Sequence, residues 1–175
     1  MLKHKKLIIV ATLAVLILAL VIYDLSSTSL TMSSDESAKS PELQPVPDVS
    51  FTKIDGSTIA LRSLAGHKIL LHFWASWCKP CREEFSNLLL QIANNDDGTI
   101  LLAVSGDEKI EDIRKFIAPL MRGFKPIFVS GRVIIAQDPY HQLIEGVFQT
   151  YQYPETIVIT PDFKMSKKVV GTYQP

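Results

Sequence analysis

The chain has 175 residues, 47% of them hydrophobic, and sets 18 Lys and Arg against 18 Asp and Glu. That length suits one ordinary domain with accessory segments. The charges are scattered and sum to zero, and no RNA- or DNA-binding motif is present, so no nucleic-acid partner is expected.

The N-terminus differs in kind from the rest. A basic opening, MLKHKK, precedes the charge-free run LIIVATLAVLILALVIY, Leu7–Tyr23. At about 1.5 Å per residue this run sits at the lower limit of what spans a hydrocarbon core. The exit, VIYDLSSTS, holds neither a small-x-small cleavage site nor a cysteine for lipid attachment, so residues 1–23 are read as an uncleaved signal anchor. No face of the run is polar, which argues against a buried core helix. Lys3, Lys5 and Lys6 are expected to stay cytoplasmic. The expectation is therefore a single-pass protein of the cytoplasmic (inner) membrane with its folded domain on the periplasmic, extracytoplasmic side. Residues 24–46 are rich in Ser, Thr and Pro, cannot bury a face, and are expected to form a flexible tether.

The domain is expected over residues 47–175. VSFTKIDGSTIAL reads as two short strands about the turn signal Asp55-Gly56. KILLHFW is an apolar run broken only by His72, as expected of a central strand covered on both faces. Phe85, Leu88, Leu89 and Ile92 recur at helical spacing, and NNDDG ends that helix. TILLAV is a second buried strand; Ile110, Ile113, Phe116, Ile117 and Leu120 line a second helix. RVIIAQ is a further strand, and Asp138-Pro139 is expected to open a short helix through Val147. ETIVIT, a turn at Pro161-Asp162 and KMSKKVV form a closing hairpin. The order is that of an α/β sheet that begins and ends with hairpins.

The only two cysteines, Cys78 and Cys81, fall at the end of the KILLHFW strand, where the next helix starts and where open α/β sheets place their chemistry. Three chemistries use such a pair: disulfide exchange, metal ligation, or a structural staple. A staple closing so small a loop removes little chain entropy. Zinc wants four ligands, and the remaining soft donors, His67, His72 and His141, have no paired spacing. A Cys pair with one His is still enough for copper. A peroxidatic cysteine usually follows Pro and Thr or Ser rather than opening a W-C-x-x-C. Exchange fits best. Cys78, at the helix start with Lys79 beside it, is the expected nucleophile. Cys81, one turn on, is placed to resolve a mixed disulfide. Pro80 lacks only an N–H that has no helical partner there.

With FWASWCKPC after a hydrophobic strand and YPETIVIT further on, residues 47–171 resemble thioredoxin-fold proteins, most closely the membrane-anchored TlpA, ResA and DsbE (CcmG)-type thiol–disulfide proteins of the bacterial envelope. The resemblance implies a thioredoxin-like α/β fold with a central mixed sheet flanked by helices and an added N-terminal β-hairpin. The C-terminal helix usual in that fold is not expected, because the chain stops at VGTYQP. The activity implied is dithiol–disulfide exchange with exported proteins, as a reductant fed by an upstream membrane electron donor, with apocytochrome c as one client and no cofactor. The alternative is a copper-handling module for oxidase assembly.

The resemblance also implies roles. Pro154 is expected to carry a cis peptide bond facing the cysteines and to present the backbone of Tyr153 to an extended client strand. Tyr153 is bulkier than the usual Thr or Val and is expected to narrow access. Glu84 matches an acidic residue three positions after the second cysteine, placed to take a proton from Cys81 or tune its poise; an acid in a helix's first turns also has a purely structural use. His72 stands where thioredoxin has a buried Asp and is a candidate proton relay, or simply a buried neutral ring. Trp77 is expected to flank the thiolate and Trp74 to pack the core.

Overall fold

The computed structural model describes residues 15–23 and 44–174. Residues 15–23 form a helix with exposed apolar side chains, Val15 to Tyr23. No helix among the described residues is long and apolar enough to cross a membrane. The anchor expected from the sequence begins at Met1, so much of it, like most of the tether, lies outside the described residues.

The second unit is an eight-stranded mixed sheet: β1 (Gln44–Pro45), β2 (Ser50–Lys53), β3 (Thr58–Ala60), β4 (Ile69–Trp74), β5 (Ile100–Ser105), β6 (Val133–Gln137), β7 (Glu155–Ile159) and β8 (Lys164–Val170), in the order β1-β8-β7-β4-β5-β6-β2-β3. Gln44 and Pro45, assigned from sequence to the tether, pair with Met165 and Lys164. β4 is central and buried along its whole length. It runs parallel to β5, with His72 opposite Ala103, and antiparallel to β7, with His72 opposite Thr156.

Three helices follow the strands: α1 (Lys79–Asn94) between β4 and β5, then α2 (Ile110–Gly123) and α3 (Lys125–Val129) between β5 and β6. β4, β5 and β6 advance across the sheet in one direction, and right-handed crossovers then put every connecting helix on the same face. That face holds one core, in which Leu88, Leu89 and Ile92 of α1 and Ile113 and Ile117 of α2 meet Leu70, Trp74, Leu101 and Ile135. The opposite face has no described α-helix. A 3-10 turn, Leu61–Leu64, the β2–β3 hairpin and the segment after β6 cover it, burying Phe51, Leu61, Leu64, Ile144 and Phe148 against Ile69, Leu71 and Phe73.

One difference from the sequence reading has a plain cause. Residues 138–147 form turns, not a helix. The Asp138 carboxylate accepts the N–H groups of Gln142, Leu143 and Ile144, and His141 is left-handed at φ 53°, which breaks the helical path. After β8 no helix follows among the described residues; instead Tyr173 folds back and is buried against the α1 face.

Candidate active site

The site begins with a strand that must end. β4 stops at Trp74, and Cys78 then caps α1 with extended backbone (φ −77°, ψ 108°). Its sulfur accepts the Cys81 N–H at 3.3 Å, so one of the helix's four orphan donors points at Sγ. Pro80 falls within the first turn, where its missing N–H costs nothing. Cys78 and Cys81 are joined as a disulfide, with Cα atoms 5.3 Å apart. Cys81 is fully buried, whereas Cys78 keeps 6% of its surface exposed. An incoming sulfur therefore reaches Cys78 first. Lys79 projects into solvent and pairs with Glu83 at 3.9 Å, so its field at Cys78 is screened and the helix terminus supplies most of the positive potential.

Two titratable groups are buried on α1 and β4. Glu84, one turn after Cys81 on α1, is buried, and burial pushes its carboxyl from 4.5 up to about 7 against the opposing hydrogen bond from the Tyr173 N–H. That bond is 2.5 Å long and links residues 89 apart in sequence. The second oxygen, Oε2, is buried without a hydrogen-bond partner among the described residues. His72 is fully buried on β4 with Nδ1 2.9 Å from Thr156 Oγ1 and its ring edge-on to Phe85. Burial pulls its pKa down from 6.5 to about 3. The ring is neutral at any ordinary pH.

A second group of residues gathers about the loop that leads into β7. The Tyr153–Pro154 peptide bond is cis and leads directly into β7. The Tyr153 ring lies 5.9 Å from that of Trp77, which is 69% exposed, and Tyr153 also reaches across to the end of β5. There a Cβ on Gly106 would collide with Tyr153 Oη. Only glycine at 106 lets the phenol fold into this place. Trp74, by contrast, is enclosed between Phe85 and Phe116 and serves the core.

Gly106, which the sequence reading does not name, and His141 both border Tyr153. A glycine directly after a buried strand is the signal that was available for Gly106. From the sequence His141 is a candidate only as a soft metal donor. It instead bridges the Gly106 carbonyl and Glu145. Among the described residues no group of three or more His, Cys, Asp or Glu side chains is arranged to hold a metal ion.

A family model described as the AhpC/TSA family matches residues 43–168. Thiol-disulfide oxidoreductase ResA of Bacillus cereus is 26% identical over 126 residues, 71% of this chain and 67% of that protein. ResA of Geobacillus thermodenitrificans is 27% identical over 172 residues, 97% of this chain and 90% of that one. Among solved structures, a protein assigned as the thiol:disulfide interchange protein DsbE of Chlorobium tepidum superposes with a TM-score of 0.62 at 26% identity, over 75% of this chain and 86% of that one. The fold is thioredoxin-like.

Proposed function

The chain belongs to the AhpC/TSA family and is a thiol–disulfide oxidoreductase with Cys78 and Cys81 as its redox pair, and from that premise we propose that it works as a membrane-anchored reductant of exported proteins. The observation that carries the reading is the asymmetry of the pair: a marginally open Cys78 at a helix start, backed by a sealed Cys81.

In the reduced protein the Cys78 thiolate attacks one sulfur of a client disulfide and expels the other as a thiolate. Cys81 then loses its proton and attacks Cys78 Sγ. The second client sulfur leaves and takes up a proton, and the protein is left with the Cys78–Cys81 bond. Two electrons from an upstream membrane donor restart the cycle. Glu84, and not His72, takes the Cys81 proton. A carboxyl near 7 is matched to a thiol whose ordinary value is about 8.5, whereas a ring near 3 would have to become a cation in a dry core. His72 is a packing residue hydrogen-bonded to Thr156.

The client strand docks along the backbone of Tyr153, with Pro154 presenting that edge and Trp77 and the Tyr153 ring forming its wall. Apocytochrome c is the client class that the resemblance of FWASWCKPC and YPETIVIT to DsbE-type proteins implies. Anchoring through residues 1–23 is supported by the exposed apolar helix at 15–23 and by a ResA relative that aligns over nearly the whole chain. The deciding measurement is the reduction potential of the Cys78–Cys81 couple in equilibrium with an exported client's disulfide. A potential below the client's is expected; one above it would make the protein an oxidant and overturn the direction proposed.

A further inference from the structure

His141, whose ring meets that of Tyr153, has a geometry that is unusual in two respects. Its backbone is left-handed, at φ 53°, a state uncommon outside glycine and found most often in Asn, Asp and His. Both ring nitrogens face acceptors: Nδ1 lies 2.7 Å from Glu145 Oε1 and Nε2 lies 2.9 Å from the Gly106 carbonyl oxygen. A neutral imidazole carries one N–H and satisfies only one of these. The imidazolium satisfies both.

The surroundings agree with a cation. Glu145 shares the segment, and Asp138, three residues earlier, adds negative charge while its oxygens hold the N–H groups of Gln142, Leu143 and Ile144. From the β5 end, Asp107 is buried and engaged by Ser76 and Ser105. Glu108, Asp112 and Lys109 line the same open cavity of about 580 Å³, where Lys109 is the sole Lys or Arg. The hydrogen bond to Gly106, then the one to Glu145, raises the ring's pKa above 6.5. On its other side the ring meets Tyr153 edge to face, centroids 6.3 Å apart.

We propose that His141 is a positioning residue for client exchange: its doubly protonated ring ties the segment after β6 to the end of β5 and so holds Tyr153 in place at the docking edge. Loss of one ring proton frees one end of the tie. The Tyr153 edge is then no longer preorganised, and a client strand must order it on binding. A small disulfide that needs no strand pairing does not meet this cost. Client exchange relative to small-disulfide exchange is therefore high at acid pH and falls as pH rises through the titration of His141.

The test uses the reduced, intact chain. Its rates with a blocked peptide disulfide lacking groups that titrate between about pH 5.5 and 9, and with hydroxyethyl disulfide, are taken as a ratio at each pH. Cys78 attacks in both reactions, so its own titration cancels. The wild-type ratio should fall roughly tenfold, the scale of one charge-assisted hydrogen bond, in a single-proton step above 6.5. Glu145→Gln should move the step to lower pH. His141→Asn, chosen because Asn accepts the left-handed backbone, should abolish it and leave the ratio low throughout. A flat wild-type ratio, or a step that survives His141→Asn, overturns the proposal. Since a variant can fail to fold, the wild-type His141 ring nitrogens are followed by NMR in the same series; a titration that does not coincide with the step also overturns it. The inference rests on the docking role given to Tyr153, and Tyr153→Thr separates the two. An unchanged ratio in that variant sinks the docking edge itself, whereas a changed ratio with no pH step in wild type sinks only the role of His141.

Discussion

At the scale of single residues, burial decides chemistry. Iodoacetamide added to the reduced protein should modify Cys78 well before Cys81, because only Cys78 has any exposed surface. Cys81→Ser should accumulate client mixed disulfides for want of the resolving attack; modification of Cys81 first would exchange the two roles. Glu84 makes two further predictions. Its folded pKa is raised, so the fold binds a proton that the unfolded chain has lost between about 4.5 and 7, and stability falls as pH rises through that window. His72 acts in the opposite sense: its folded pKa is lowered, and stability falls as pH drops from 6.5 towards 3. Glu84→Gln should accordingly stabilise the oxidised protein at about pH 8 by up to about 3 kcal/mol and do little at about pH 4, read from denaturant midpoints. In the same variant the mixed disulfide should resolve on the order of 100-fold more slowly near pH 7. An unchanged lifetime would remove Glu84 from the proton path.

At the scale of elements, the strands were legible because continuous apolar runs have little other use in a chain of this size; β4, β5 and β7 are each buried throughout. The helix after the cysteines was equally plain from Phe85, Leu88, Leu89 and Ile92. The segment after β6 was misread, since Asp-Pro is both a good helix opening and a good turn, and local sequence does not say which N–H groups the carboxylate will take. The bond between Tyr173 and Glu84 had no local signature at all, because it joins residues 89 apart. Gly106 shows how one such junction is built. Its Cβ would meet Tyr153 Oη and lie 2.9 Å from His141 Nε2, so Gly106→Ala must drive the phenol out. A loss of about 1–3 kcal/mol is expected in that variant. Tyr153→Thr added to it should recover most of the loss, and a double-mutant cycle on thermal unfolding measures the coupling. Additive effects would mean that the two residues do not compete for this space.

At the scale of the whole molecule, the N-terminal segment predicts where the protein resides. Fractionated cells should carry the intact chain in the membrane pellet, resistant to alkaline extraction, with the catalytic unit digested by protease only after the outer surface of that membrane is opened to it. A soluble chain beginning near Ser27 would exclude the anchor. A separate consequence follows from how the sheet is bordered. Among the described residues, Gln44 and Pro45 cover only Lys164 and Met165 of β8, whose remaining edge carries Lys167 and Lys168; the other rim is the three-residue strand Thr58–Ala60. Lysines along an edge and a very short edge strand each make a poor template for another chain. A protein that gripped client chains by their backbones, as proposed above, would run the hazard of gripping them everywhere, and of being gripped by its own copies. Here the described margins of the sheet discourage such adhesion, and the docking proposed for the Tyr153–Pro154 loop would keep it to one place.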